Sequence, residues 1–376
     1  MTETTHPAPQ TLKSDQLFVN LGPQHPSTHG VLRVGLTIEG EIVVKAVPEI
    51  GYLHRGTEKL AELRGYHQCV VISDRWDYLS AMNNNLLFCL ASEKLMKVEV
   101  PERASHLRVI MCELNRIASH LLFFGTFGID MGAFTAFLHA FRERELVLDL
   151  FEMSCGARLT YNYIRLGGVM KDVDDKWLAK TKEFLEFFKA RLPEYDDLLS
   201  FNPIFLDRTK GVGRISAEQA LSWGLSGPML RASGVSYDAR KWEPYCTYGQ
   251  FAFDVPLGEQ GDCWDRYYCR VREMHESVKI VEQAIAKLQP GPVLGKGVAK
   301  VPKPVYGEAY AHIEGARGNL GMHLVADGNG APYRLHLRAP SFINLAMLQE
   351  ILVGERMSDV IAILGSTDIV LGEVDR

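Results

Sequence analysis

The sequence predicts an α+β fold in which a central bundle of long helices joins a small N-terminal antiparallel sheet and a mixed C-terminal lobe. Three patterns indicate this architecture. Residues 17–46 read as alternating strands around a turn at residues 39–41. From Thr57 to about residue 200, apolar side chains recur at the three- and four-residue spacing of packed helices. After Asn202 the chain is rich in Gly and Pro, and short strand patterns return later.

Local signals set the order of the elements. We expect Thr57 and Ser341 to be N-caps, Pro101 to open a helix and Pro193 to end one. Helices are predicted at 76–96, from 101 past 121, and at 133–155, 174–192 and 262–288, with strands at 310–314, 321–326 and 333–337. The chain divides into a disordered arm at 1–14, a sheet with a histidine loop at 15–47, a helical bundle at 48–200, and an irregular α+β part at 201–376 that completes the same domain.

Composition excludes several classes of function. The 376 residues are 47% hydrophobic and 23% charged, as in ordinary globular proteins. A net charge of −5 and the lack of a basic run argue against nucleic-acid binding. The longest apolar run, residues 121–129, is far below the roughly 18–20 residues that span a bilayer. The seven cysteines form no Cys-x-x-Cys pair, which predicts reduced thiols in the cytosol and no iron–sulfur cluster or structural zinc in this chain.

The segment 22–30 is the most informative stretch, with the sequence Gly-Pro-Gln-His-Pro-Ser-Thr-His-Gly. Its prolines and glycines fit neither a helix nor a sheet interior, so it predicts a rigid loop between two strands. His25 and His29 can change protonation near neutral pH, which makes them candidate functional groups. The alternative is that both imidazoles only hold the turn by hydrogen bonds to the backbone.

Together with three further motifs, this loop resembles the D-type subunit family of respiratory complex I. The motifs are Gly-Tyr-Leu-His-Arg-Gly-Thr-Glu-Lys at 51–59, Asp-Arg-Trp-Asp-Tyr at 74–78, and the closing segment 368–376. That family forms the quinone site of proton-pumping NADH:quinone oxidoreductase and is related to the large subunit of nickel–iron hydrogenases. The resemblance runs in order from about residue 17 to residue 376, and it implies a hydrogenase-like fold.

Nickel–iron hydrogenases hold their metals with Arg-x-Cys-Gly-x-Cys and with Asp-Pro-Cys-x-x-Cys-x-x-His. In this chain Asp77 and Ser80 stand at the first two cysteine positions, and Val370, Glu373 and Arg376 replace Cys, Cys and His. All four soft thiolate ligands are missing, so hydrogenase activity is not expected. The emptied metal cavity becomes a candidate small-molecule site.

Quinone reduction needs electrons, a hydrogen-bond donor at a carbonyl oxygen and a route for protons. The resemblance assigns the ligand roles to Tyr78 and His29, pairs that histidine with Asp130, and places His25, Asp77 and Val370 at the quinone cavity. A carboxylate beside an imidazole would favour its charged form. The alternatives are that Tyr78 is a core residue of a helix and that Asp130 only caps the helix expected near residue 133.

The electrons would come from other chains, because no Gly-x-Gly-x-x-Gly follows a strand here. The resemblance implies a four-iron cluster in the neighbouring B-type subunit of the complex, faced by Arg55, with FMN and NADH elsewhere in the complex. It also implies contacts with the C-type and I-type subunits and with the H-type subunit of the membrane arm, at the cytoplasmic face of the bacterial inner membrane. Without the family, Arg55 would be interpreted as a surface ion-pair residue.

Two departures from the family leave alternatives open. A common Gly-x-Arg-x-His motif ends in Thr160 here, and threonine cannot titrate as the family's histidine is thought to do on cluster reduction. The stretch 304–314 is also shorter than usual by about twenty residues. Quinone type and electron donor therefore stay open. A related complex with a ferredoxin or deazaflavin donor is the first alternative, and a catalytically silent scaffold is the second.

Overall fold

The computed structural model describes residues 15–25 and 30–376. The predicted disordered arm and His29 lie outside these ranges. The strands are β1 (Gln16–Leu21), β2 (Arg33–Glu39), β3 (Ile42–Glu49), β4 (Ile164–Arg165), β5 (Gly168–Val169), β6 (Gly307–Glu314), β7 (Asn319–Ala326) and β8 (Arg334–Arg338). The helices are α1 (Thr57–Ala61), α2 (Tyr66–Ser73), α3 (Ala81–Met96), α4 (Glu102–Asp130), α5 (Phe134–Cys155), α6 (Asp175–Tyr195), α7 (Pro203–Thr209), α8 (Ala217–Ser222), α9 (Pro228–Ala232), α10 (Ala239–Trp242), α11 (Cys263–Ala286), α12 (Pro340–Ala346), α13 (Leu348–Ile351), α14 (Val360–Ser366) and α15 (Leu371–Asp375).

The α+β prediction is confirmed. Strands β1, β2 and β3 form an antiparallel N-terminal sheet, and β6, β7 and β8 form a second one. Between them lie the long helices α3 to α6 and α11. Helix α4 is 29 residues long and packs against both α5 and α11. Because neighbours surround it, α4 is buried on nearly every side, and its buried side chains include charged ones such as Arg108, Glu113 and Arg116 as well as apolar ones. No helix in the described part is both long and apolar enough to cross a membrane.

Two hydrophobic cores share the interior. One is built by the long helices together with β6, β7 and β8. The other joins the N-terminal sheet to the C-terminal helices α12 to α15, although about 290 residues separate the end of β3 from the start of α12. The two ends of the chain therefore fold against each other. The predicted site residues come from both ends and from α4, so this packing decides whether they meet.

One predicted helix begins later than expected, and Tyr78 is not helical. Residues 74–80 form irregular turns, and α3 begins at Ala81. Side chains satisfy the backbone here in place of a helix: Oδ1 of Asp77 accepts from the Leu79 N–H at 3.1 Å, and the buried Asn115 amide donates to the Leu79 carbonyl at 3.1 Å. Short polar side chains of this kind compete with helical hydrogen bonding. Tyr78 therefore lies in a turn, and the alternative that it is a core residue of a helix is wrong.

Three cap predictions are also wrong. The N-cap of α1 is Gly56, in the left-handed region at φ 64°, and Thr57 is the first helical residue. Ser341 lies inside α12, where its N–H donates to a carboxylate rather than its side chain capping the helix. Pro193 lies within α6, which continues to Tyr195 and runs into a π-helical turn at 196–200. Tertiary contacts override the local signal at these places.

Candidate functional site

The C-terminal segment 360–376 forms one wall of the candidate site. It consists of α14, a short irregular stretch and α15, and it is nearly all buried. A Cβ atom on Gly365 would lie 2.9 Å from Oδ2 of Asp130. A Cβ atom on Gly372 would lie 2.6 Å from a backbone oxygen and 3.1 Å from Cδ1 of Tyr78. Contacts this short exclude a side chain, so the two glycines let Asp130 and Tyr78 lie against the same wall.

The base of the histidine loop lies on this wall too. His25 and Gly30 pair across the base as an isolated antiparallel bridge. A Cβ atom on Gly30 would lie 2.9 Å from Cδ1 of Leu371, the first residue of α15. His25 itself is exposed. Gly30 therefore lies beside Leu371, the neighbour of the glycine that contacts Tyr78.

Asp130 is the last residue of α4. The alternative that it caps the next helix is wrong, because the N-cap position of α5 is Ala133. The Asp130 carboxylate instead faces Gly365 of the C-terminal wall. His29 lies outside the described residues, so its pairing with Asp130 stays a prediction.

Tyr78 is half-buried in the connection between α2 and α3. Burial raises the pKa of Tyr78, and the Asp77 carboxylate raises it further, whereas Arg317 and Arg55 act in the opposite direction. The phenol is therefore a neutral hydrogen-bond donor at physiological pH.

A buried cluster of acids and arginines lies beside Tyr78. Arg317 donates to Oδ2 of Asp77 at 3.2 Å and to Oδ1 of Asp368 at 3.1 Å. The Arg270 guanidinium lies 3.4 Å from the second oxygen of Asp368. Burial and the Asp368 charge raise the pKa of Asp77, while Arg317 lowers it. Neither Arg317 nor Arg270 belongs to a sequence motif of the site, so the sequence alone did not point to them.

Glu373 is a second buried acid near Asp77. Its Oε2 accepts from the N–H of Ser341 at 3.1 Å. Burial, and then the nearby Asp77 charge, raise the pKa of Glu373 to about 8, although Ser341 and Arg317 oppose the shift. Glu373 is therefore largely protonated at neutral pH. Val370, the remaining predicted cavity residue, is buried, and its N–H donates to the Ser341 hydroxyl at 3.3 Å.

The C-terminal wall also fixes the motif at residues 51–59. The Asp375 carboxylate accepts hydrogen bonds from the N–H groups of Gly51 and Leu53 at 2.8 and 2.7 Å. The N–H of Arg55 donates to the carbonyl of Arg376 at 3.1 Å. The Arg55 side chain also donates to the carbonyl of Gly372 at 3.4 Å. Arg55 and Tyr78 therefore contact the same residue of the wall.

On its outer side, Arg55 lines a surface groove of about 400 Å³. We call it the arginine groove; it is lined by Arg55, Thr57, Leu60, Arg64, Gln68, Val71, Ile72 and Arg75. The Arg55 guanidinium donates to the backbone carbonyl of Arg75 at 2.5 Å. Burial and the Arg75 charge lower the pKa of Arg55. Three guanidinium groups on an apolar floor suit a partner surface that carries negative charge.

The residues at the hydrogenase metal positions do not fit a nickel–iron centre. They are a carboxylate, a hydroxyl, an alkyl group and a second carboxylate (Asp77, Ser80, Val370 and Glu373). Asp77 is bound to Arg317, and Glu373 accepts from a backbone N–H. Within residues 15–25 and 30–376, no group of three or more His, Cys, Asp or Glu side chains is arranged to hold a metal ion.

Thr160 lies in a loop that follows α5, with its backbone in the left-handed region at φ 55°. Its hydroxyl donates to the Leu159 carbonyl at 2.6 Å. The neighbouring Arg158 fastens the loop to α5 through ion pairs with Glu145, Asp149 and Glu152. The position therefore carries no titratable group.

Comparison with known proteins gives a consistent result. The family model for the 49 kDa subunit of respiratory-chain NADH dehydrogenase matches residues 130–305 and 296–376. D-type subunits of NADH-quinone oxidoreductase from Bacillus mycoides, Bacillus anthracis and Desulforamulus reducens are each 53% identical over 97% of this chain and 100% of their own length. Their lengths are thus close to that of this chain. The chain belongs to the 49 kDa subunit family of respiratory-chain NADH dehydrogenases and is a core subunit of complex I.

Proposed function

We propose that this chain forms the quinone-reduction site of its complex together with the neighbouring B-type subunit. Tyr78 donates a hydrogen bond to one quinone carbonyl, and His29, supported by Asp130, serves the other end of the ring. His25, Asp77 and Val370 border the cavity. The relatives' names state an NADH-quinone oxidoreductase activity, which supports NADH as the donor of the whole complex.

The observation that carries this proposal is the meeting of Tyr78 and Arg55 at Gly372. The Tyr78 ring lies against this glycine on one side, and the Arg55 guanidinium reaches its carbonyl at 3.4 Å on the other. One residue therefore separates the arginine groove from the phenol. Electrons that arrive at the groove would have a short route to a quinone held by Tyr78.

The arginine groove supports the placement of the partner's four-iron cluster. When bound, that cluster would supply electrons one at a time. Arg55 would face it and tune its potential by charge and hydrogen bonding, as second-shell donors do at metal centres. The groove also exposes apolar side chains, with Leu60 at 40% and Val71 at 47%. Such a mixture of arginine and apolar surface is typical of protein interfaces.

The acid–arginine cluster gives the site a supply of protons. Glu373 is largely protonated at neutral pH, and the Asp77 charge acts on both Glu373 and Tyr78. Two protons are needed for each quinone reduced. We infer that these acids hold and return protons while Tyr78 keeps the headgroup in place.

The wider setting belongs to the same proposal. The complex would translocate protons, with this chain at the cytoplasmic face of the bacterial inner membrane and in contact with the C-type and I-type subunits and the H-type subunit of the membrane arm. FMN would lie elsewhere in the complex. A ferredoxin or deazaflavin donor is the alternative at the input end, and it would leave the residues of this site unchanged.

Tyr78→Phe tests the proposal, because it removes the donor and keeps the ring. We expect quinone reduction to fall about 10–1000-fold, in line with the loss of one positioned hydrogen-bond donor. Electron transfer from NADH to an artificial acceptor upstream should be unchanged. The control is Tyr310→Phe, at a half-exposed tyrosine on β6, which should leave both rates unchanged. Normal quinone turnover in assembled Tyr78→Phe membranes would refute the role of this residue.

A further inference from the structure

Strand β6 lies at the edge of its sheet, and no other strand of the described chain covers its free side. The strand order is β6-β7-β8, so β6 pairs with β7 alone. Along an antiparallel strand, every second residue directs both of its backbone groups to the same side. Glu314 marks the free side, because its N–H donates to the Tyr245 hydroxyl at 3.1 Å and its carbonyl accepts from Arg116 at 2.6 Å. The other even-numbered residues of β6 therefore direct their backbone groups away from β7 as well.

Most of these outward backbone groups lack a protein partner. The Tyr310 carbonyl accepts from Nζ of Lys94 at 3.1 Å. In the part of the chain that the structure describes, the Tyr310 N–H and both backbone groups of Glu308 and His312 make no hydrogen bond to the protein. An unpaired row of this kind is a template for another strand, and proteins commonly blunt it with charged side chains, proline or a covering segment. Here Lys94 covers one carbonyl and leaves the rest of the row open.

A surface groove of about 800 Å³ runs along this open row. We call it the edge groove; its lining comes from residues 310–312 of β6, from residues 97–100 after α3 and from the loop 243–246. Its floor includes Arg108, which is fully buried and pairs with Glu93 at 2.5 Å. The two charges of this pair compensate each other, so the floor is a fixed surface without net charge.

The rim of the edge groove carries more positive than negative charge. The segment 289–306 lies against its wall, since a Cβ atom on Gly295 would lie 2.3 Å from the backbone oxygen of Glu99. This segment contains three lysines and no acidic residue. Lys97 is exposed and has no ion-pair partner within the described chain, whereas Glu243 is already paired with an imidazole of β6 at 3.0 Å. Electrostatic complementarity therefore favours an occupant that carries carboxylates.

Two rings form a flat surface beside the open row. The Tyr310 and His312 rings stack with their centroids 5.8 Å apart and their planes at 21°. Tyr310 also crosses Gly321 on β7, where a Cβ atom would lie 2.5 Å from the tyrosine hydroxyl. Val305 and Tyr306, just before β6, are 75% and 83% exposed. Large apolar side chains exposed side by side are typical of a surface that another chain covers.

We propose that the edge groove binds an extended, acidic segment of another polypeptide of the complex, which adds a strand to β6. The backbone of that segment pairs with the open groups of Tyr310 and His312, and strand addition of this kind obtains its affinity from main-chain hydrogen bonds. Every second side chain of the segment lies on the ring pair, and its carboxylates face Lys97 and Lys296. The interaction does not involve the quinone site, so it stands independently of the role of Tyr78.

Photochemical cross-linking in the purified, assembled complex identifies the occupant. Glu99 is replaced by the photoreactive residue p-benzoylphenylalanine, which leaves the lysines of the rim in place. We expect irradiation to join this position to one segment of another chain, and mass spectrometry of the digest should show that this segment has an excess of acidic residues. The control carries the probe at Leu221 on α8, which is 59% exposed and should not reach that segment. The proposal is overturned if position 99 forms no cross-link, or if it is joined to lipid, to a second copy of this chain or to a segment without excess acid.

A proline at position 312 separates strand pairing from proximity. His312→Pro removes an N–H that β7 does not use, and proline is tolerated where an edge strand directs its N–H to solvent. We expect the yield of the cross-link from position 99 to fall at least about tenfold, because one ladder hydrogen bond is lost and the proline ring meets the incoming strand. His312→Phe is the matched control; it keeps a flat ring and the N–H, and it should keep the yield within about twofold. Equal yields in the two variants contradict strand addition.

Hydrogen exchange tests the unsubstituted complex. An amide that faces water exchanges close to the rate of an unstructured chain, whereas an amide held in a strand ladder is slowed by on the order of 100-fold or more. We expect this slowing at the Tyr310 and His312 amides in the assembled complex. Fast exchange at both amides would mean that the row stays open in the complex, and it overturns the proposal even where a variant fails to assemble.

Discussion

Glu113 and Glu373 are both completely buried glutamates, yet their surroundings differ. Glu113, on α4, accepts from the side chains of Arg116, Arg240, Tyr248 and Ser277 at 2.7–3.2 Å. Burial alone would raise the pKa of Glu113, but these partners lower it to about 2. Glu373 accepts only from Ser341, including its backbone N–H, and burial together with the nearby Asp77 carboxylate raises its pKa to about 8.

This difference shows that the hydrogen-bond donors around a buried acid decide whether the acid keeps its charge or can bind a proton. In the interior network around Glu113, arginines and hydroxyls supply a donor for each carboxylate lone pair, so the charge is fixed at every physiological pH. Beside Tyr78, three acids (Asp77, Asp368 and Glu373) lie near two arginines (Arg317 and Arg270), and burial raises the pKa of Asp77 and of Glu373. The donor supply therefore predicts which buried acid holds the fold together and which one can exchange a proton.

The largest effect on stability should follow from a substitution that breaks the hydrogen-bond network around Glu113. Glu113→Gln keeps the size of the side chain but leaves Arg116 and Arg240 without their shared anion. Removing one partner of a buried ion pair costs about 3–5 kcal/mol. We expect the free energy of unfolding of the chain to fall by that amount, with loss of assembled complex.

The control for this prediction lies on the same helix. Glu102 is exposed in the first turn of α4, and Glu102→Gln should cost less than about 1 kcal/mol. Thermal unfolding of both variants checks the comparison. Equal stability losses would show that the donors around Glu113 contribute nothing beyond those of a surface acid.

Much of the fold could be predicted from the sequence, because its signals are local and strong. The spacing of apolar residues located α4, α5, α6 and α11, and the alternating runs located the strands of two sheets. The positions that failed are those where a distant group satisfies the backbone. The turns around Tyr78 depend on Asn115, and the start of α12 near Ser341 depends on Glu373. A local sequence pattern cannot indicate a hydrogen-bond partner that lies far away in the sequence.

The site was predicted only in part, for the same reason. Motif resemblance pointed to Tyr78, Asp130 and Arg55, and the packing of the C-terminal wall brings all three against one segment. It did not point to Arg317, which lies in the loop between β6 and β7 and pairs with acids that are distant in sequence.

A smaller effect on stability should follow from a substitution at Glu373, and this effect should depend on pH. The pKa of Glu373 is raised in the folded chain above its ordinary value near 4.3, so the folded state binds more protons between about pH 4 and pH 8. Stability must therefore fall as pH rises through that range. Glu373→Gln removes this dependence, and the thermal unfolding temperature should vary less with pH.

The same substitution gives a sign that distinguishes the two glutamates. Relative to the unsubstituted chain, Glu373→Gln should be more stable at pH 9 than at pH 5 by on the order of a few kcal/mol. Glu113→Gln should be destabilising at both pH values, because the pKa of Glu113 lies far below this range. If Glu373→Gln is destabilising to the same extent at both pH values, Glu373 is charged in the fold and the comparison fails.

The smallest effect on stability should come from an exposed acid that has one ion-pair partner and is otherwise solvated. Glu49 on β3 pairs with Arg33 directly across the sheet on β2, at 2.8 Å, and the two side chains are 41% and 30% exposed. Solvent supplies the donors that the protein does not, so Glu49→Gln should cost only about 0.2–1 kcal/mol. Salt at about 1 M reduces the screening length to roughly 3 Å, close to the separation of this pair, so the loss should become smaller. Unfolding of both chains at low and high salt measures this. A loss as large as that of Glu113→Gln, or one that salt does not reduce, would mean that pairing alone, rather than burial with a full set of donors, determines what a carboxylate contributes to this fold.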